Sequence, residues 1–122
     1  MAHDICEQMK EHLTDAPWGL PVAIGALPDK PEEIGVLRQR WSTKIDQYFG
    51  MNERTFIPLI TLTVRTTSYV KGASQIDIAQ ALLSDIRVGE YDVFVTGMWA
   101  YIGKDQKNRH IFQVNFKIVV RE

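Results

Sequence analysis

Phe112-Gln113-Val114-Asn115-Phe116-Lys117-Ile118-Val119-Val120 alternates apolar and polar side chains almost without error. Phe112, Val114, Phe116, Ile118 and Val120 face one way, and Gln113, Asn115 and Lys117 the other. A period of two held over that length predicts a strand with one buried and one solvated face, as in an antiparallel sheet covered on one side. Residues 92–102 are its expected hairpin partner. The tip between them, Gly103-Lys104-Asp105-Gln106-Lys107-Asn108-Arg109, is polar and carries three cations and one anion.

Upstream of the hairpin, residues 74–86 predict a helix. Ile76, Ala79, Leu83 and Ile86 form one stripe, widened by Ile78 and Leu82. Ser74 is the expected N-cap, and Gly89 lies past the end. Tyr69-Val70-Lys71 lead to Gly72, where a break is expected. Residues 56–67 predict a strand, with Ile60, Leu62 and Val64 alternating with Thr61, Thr63 and Arg65. Arg65 falls on the solvated face in this reading.

Ile24-Gly25-Ala26-Leu27-Pro28-Asp29-Lys30-Pro31 separates two short apolar runs. Proline lacks a backbone N–H and fixes φ, so two prolines three residues apart cannot both lie inside a sheet ladder. The stretch is a stiff connection between strands at residues 20–25 and 33–41. Residues 42–55 show no period and read as a long excursion, a length usually associated with function or mobility. At the start, Ile5, Met9 and Leu13 recur every four residues, with Cys6 beside them, and predict a helix over 3–13. Ala16-Pro17-Trp18-Gly19 ends it. The expectation is a single α+β domain over residues 1–122, a mainly antiparallel sheet of about four to five strands with two helices packed on one face.

The chain has 122 residues, 14 basic and 15 acidic, for a net charge of -1. That balance argues against bulk affinity for nucleic acid or an anionic membrane. One cysteine permits no intrachain disulfide, and with no recognisable signal segment it fits a reducing compartment. Every apolar run is too short to span a bilayer.

No constellation of catalytic residues stands out. Gly25, Gly35 and Gly50 are isolated and make no phosphate loop. His3, His12 and His110 are scattered, without the spacing of a metal site. Catalytic, cofactor and metal residues are therefore none. An enzyme assembled from distant groups such as His110, Asp105 and Glu90 is the competing reading from another class. A contact surface for another protein is the stronger one. Its candidates are Arg38 and Arg40, which alternate on one strand, Arg65, and Lys104, Lys107 and Arg109 at the hairpin tip. Trp41 with Tyr48 and Phe49 border the long excursion and are candidate anchors. A regulatory module that binds a partner through this loop is a third reading.

Leu27-Pro28-Asp29-Lys30-Pro31, the strand Ile60-Thr61-Leu62-Thr63-Val64-Arg65 followed by Tyr69, and the helix after Gly72 resemble a family of tailed-bacteriophage minor capsid or tail-terminator (head–tail joining) proteins. The resemblance covers most of the chain as an order of elements. It implies a structural protein, not an enzyme, assembled in the host cytoplasm and located in the virion at the head–tail joint. It implies a homo-oligomeric ring, usually a hexamer, that caps the tail tube, stops its polymerisation and joins it to the head connector. A head-completion or neck adaptor role, or that of a minor capsid protein, is the alternative within the family. The implied partners are further copies of the chain, the tail tube protein and the neck protein, with DNA passing through the lumen without specific binding and no membrane involved.

Overall fold

The computed structural model describes residues 2–16, 18–42, 57–88 and 91–120. The order is α1 (Ala2–Asp15), β1 (Val22–Ile24), β2 (Ile34–Ser42), β3 (Ile57–Thr66), α2 (Tyr69–Leu83), β4 (Ile86–Val88), β5 (Tyr91–Val95), β6 (Ala100–Lys104) and β7 (His110–Val120). The seven strands form one sheet ordered β1-β2-β3-β7-β5-β4. β6 pairs with the first part of β7 and β5 with the second, so the two share one edge of that long strand. The Thr96 N–H donates to the Asn115 carbonyl between them at 3.0 Å.

The α+β class therefore holds, but the sheet is larger than expected and mixed. β1 runs parallel to β2, while the other pairings are antiparallel. The expected partner of β7 over residues 92–102 is two strands, not one. The short β4 lies where the sequence continues the helical stripe through Ile86.

The period-two patterns decide which side is buried. Ile60, Leu62 and Val64 of β3 and Phe112, Val114, Phe116 and Ile118 of β7 join one core with Ile5, Met9 and Leu13 of α1 and Ile76, Ala79 and Leu83 of α2. Both helices lie on that face. α1 touches β1 and β2 at one end of the strand order and β4 at the other. A flat sheet could not do this, so the sheet curls around α1, and the helix fills the gap between its outer strands. Cys6 is buried in this core, and burial, with Glu7 nearby, pushes its thiol up to about 11. At neutral pH it is a protonated, packed side chain and not a nucleophile.

α2 begins earlier than the sequence indicates. Ser68 is the N-cap, its hydroxyl accepting from the Lys71 N–H, and Ser74 lies within the helix. Gly72 is no break. It is a buried helical position against the Phe112 ring and the Thr66 hydroxyl, where a Cβ would overlap both. The helix ends at Ser84, and Asp85, at φ 52°, turns the chain into β4.

Candidate functional site

The prolines and Arg65, separate features of the sequence, meet in space. The connection between β1 and β2 folds over the sheet face opposite the helices, at the end where β3 carries Arg65. That side chain is 1% exposed. Its Nε donates to the Glu32 carbonyl at 3.0 Å, Nη1 to the Pro28 carbonyl at 2.6 Å, and Nη2 to the Asp29 carbonyl at 3.1 Å and the Pro31 carbonyl. A guanidinium presents its donors in a fixed fork, and here the fork is filled by the backbone of one turn. Proline supplies carbonyls but no competing N–H, so a proline-bordered turn is a natural acceptor cradle. The Lys30–Pro31 peptide bond within it is cis.

This corrects the placement of Arg65 on a solvated face. The alternation was right, but the proline turn covers that face, and Ile34 and Val36 of β2 are buried beside it. Burial, and the positive Arg109 close by, push the Arg65 pKa down, while Asp105, Asp29 and Glu32 act in the opposite sense.

A second layer ties the turn to the hairpin tip. Arg109, 6% exposed, donates through Nη1 to the Asp29 carbonyl at 2.7 Å, through Nη2 to the Asp29 carboxylate at 3.2 Å, and through Nε to Asp105 at 2.7 Å. Lys107 Nζ reaches both Asp29 oxygens at 3.0 and 2.8 Å. Asp105 also accepts from the backbone N–H groups of Lys107 and Arg109, each at 2.9 Å. The hydrogen bond from Lys107, aided by Arg109, holds the Asp29 carboxyl below its ordinary range. Partial desolvation works upward on Asp105, but the two backbone N–H groups and Arg109 outweigh it and lower its pKa. Desolvation likewise opposes the charge on Arg109, and Asp105 and Asp29 overcome it, raising its pKa. Asn108, at φ 62°, allows the tip to close.

Beside this latch an open groove of about 680 Å³ is bordered by Gly19, Pro31, Glu33, Thr67 and Lys71. Glu33 accepts from the Thr67 hydroxyl at 3.0 Å and pairs with Lys71. The Lys71 hydrogen bond, with help from Thr67, lowers the Glu33 pKa. A carboxylate held ionised in this way is a poor base toward a neighbouring hydroxyl.

The remaining expected residues are dispersed. Arg38 is exposed on the open sheet face, and Lys104 is exposed on β6. Arg40 and Trp41 lie in β2, registered against Leu59 and Pro58. Tyr48 and Phe49 fall outside the described residues, as does Glu90 of the enzyme reading. His110 Nδ1 is 2.9 Å from the Tyr101 hydroxyl, while Asp105 is engaged by Arg109, so the two serve different networks. Among the described residues, no group of three or more His, Cys, Asp or Glu side chains could hold a metal ion.

Two features lay beyond the sequence reading. Asp29 is the shared anion of the latch; its position between two prolines was the available signal. The second is an aromatic group at the edge of the molecule. Tyr69 lies edge-on to Tyr101, with ring centroids 5.0 Å apart, and Tyr101 stacks obliquely on Phe112 at 5.1 Å. Nearby in the chain, Val70, Met98 and Ile102 are exposed by 77%, 78% and 56%. Val70 lies in α2, Met98 just before β6 and Ile102 within β6, whose outer edge pairs with no strand among the described residues, and apolar exposure of this extent suits contact with another protein.

A solved structure that carries a sequence designation in place of a functional name is similar to this chain, with a TM-score of 0.61 at 13% identity over 99% of this chain and 94% of the other. At that identity the likeness concerns the fold alone. No family model matches the chain, and no curated protein does.

Proposed function

We propose that this protein is a structural component of a tailed-phage particle, a tail terminator that forms a ring on the last layer of the tail tube, stops its growth and meets the head connector. The observation that carries this reading is the Arg65 cradle. Two of the segments that carry the resemblance, the Leu27–Pro31 turn and the strand that bears Arg65, form one object, joined by the Arg65 hydrogen bonds to the Pro28, Asp29 and Pro31 carbonyls. Arg65 and Arg109 act inside the protomer, so of the basic candidates whose side chains are described, Arg38, Lys104 and the partly engaged Lys107 remain for an interface. The exposed apolar group around β6 adds a surface suited to an axial partner. The near-zero net charge suits a ring through which DNA passes without sticking.

The test is immunolabelling of tailed particles together with particles made without this protein. Label at the head–tail joint and overlong, headless tails in its absence are the expected outcome. Label confined to the head shell, or normal tails without the protein, would overturn the terminator role. Label at the joint with tails of normal length would assign it instead to head completion.

A further inference from the structure

The two broad surfaces of the protomer carry opposite charge. On the helical side, Glu7, Glu11 and Asp15 recur every four residues along α1 and are all exposed. They therefore form one acidic stripe. On the opposite side, the sheet face left uncovered by the proline turn exposes Arg38 of β2 and Lys117 of β7. Beside Lys117, Phe94 and Val119 are each 39% exposed, and Asp92 on the same face is paired with Arg87. Phe94 pairs directly with Lys117 across β5 and β7, so the apolar and basic groups are contiguous. Thr61 and Asn115, hydrogen-bonded to each other at 2.7 Å, complete a polar floor toward Arg38.

We infer that this basic, partly apolar sheet face docks on the acidic stripe of α1 of a second copy, and that this is the lateral contact between subunits. The inference rests on the ring reading and names the surfaces that would build it. Charge complementarity selects the occupant. Sheet face against sheet face would bring Arg38 and Lys117 onto the same cations of the other copy, and helix stripe against helix stripe would oppose carboxylates. Sheet face against α1 satisfies both. The two surfaces lie on opposite sides of one protomer, so the contact is heterologous, and each copy keeps one surface free for the next. Repeated contacts of this kind close into a ring when the rotation between copies allows.

Two reversed proteins test it: Glu7→Lys with Glu11→Lys on α1, and Arg38→Glu with Lys117→Glu on the sheet face. All four side chains are exposed, and circular dichroism confirms that each variant folds. Sedimentation velocity across a concentration series at low and high salt is the readout. Each reversed protein alone should self-associate at least about tenfold more weakly than the wild type. An equimolar mixture of the two should recover assembly in alternation, because the unreversed surfaces complement each other and so do the two reversed ones. The chain carrying all four reversals should recover assembly, and high salt should weaken the wild-type oligomer. An oligomer indifferent to every reversal would overturn this interface and leave the ring reading standing. A wild-type protein monomeric at every concentration would overturn both.

Discussion

Arg65 is the residue on which the non-helical side of the molecule depends. Its guanidinium serves carbonyls of Pro28, Asp29, Pro31 and Glu32, and its removal leaves those acceptors without partners under a buried surface. Arg65→Leu should cost at least about 1–3 kcal/mol in urea denaturation, because buried backbone carbonyls are left without a donor. Arg65→Lys should recover only part of that, since a single ammonium cannot match the fork. The pH response of the latch follows from Asp29 and Asp105, whose folded pKa values are depressed. Their contribution is complete above the ordinary carboxylate range near pH 4 and is lost as the pH falls through the lower folded values. Amide hydrogen exchange over residues 25–33 and 105–109 should therefore stay slow down to the ordinary range and quicken below it. Asp29→Asn should remove the Asp29 share of that acid response and leave the share of Asp105. The sequence displayed the alternation that places Arg65 opposite the core. It could not display the cover, because the covering turn lies more than thirty positions away in the chain.

At the scale of elements, the longest periodic segments were legible and the short ones were not. β7 reads correctly because burial on one face constrains every second residue over its whole length, and β3 reads for the same reason. β4 has three residues, and Ile86 extends the helical stripe, so nothing local separates it from α2. The start of α2 was obscured by Gly72, which punctuates most sequences but here answers a packing demand from Phe112 and Thr66. The outcome of Gly72→Ala decides between two effects. Alanine gains about 1 kcal/mol in helix propensity over glycine. The added methyl meets a fixed ring and a buried hydroxyl, and overpacking costs about 1–3 kcal/mol. Thermal melting should show the variant destabilised. A stabilised variant would mean that Phe112 can move aside. Phe116→Asp, which buries an unpaired charge in the core, should abolish cooperative unfolding altogether.

At the scale of the molecule, the curl of the sheet was not legible. Through its contacts with both, α1 bridges β1 and β4, strands some sixty positions apart, and no local period encodes that. What the curl produces is a protomer with an acidic helical side, a basic sheet side and an apolar edge at β6, three surfaces of different character. The long excursion contributes a separate expectation from sequence. Replacing Tyr48 and Phe49 together by serine should leave the thermal melt of the protomer nearly unchanged while weakening its assembly. A collapse comparable to that of Phe116→Asp would instead mark the pair as core. On the function proposed above, this chain works by docking with copies of itself. Light scattering coupled to size-exclusion chromatography, with negative-stain microscopy of the same fractions, tests this most directly. A discrete closed ring, six protomers on the family resemblance, is the predicted result, and a lone protomer at every concentration would contradict it.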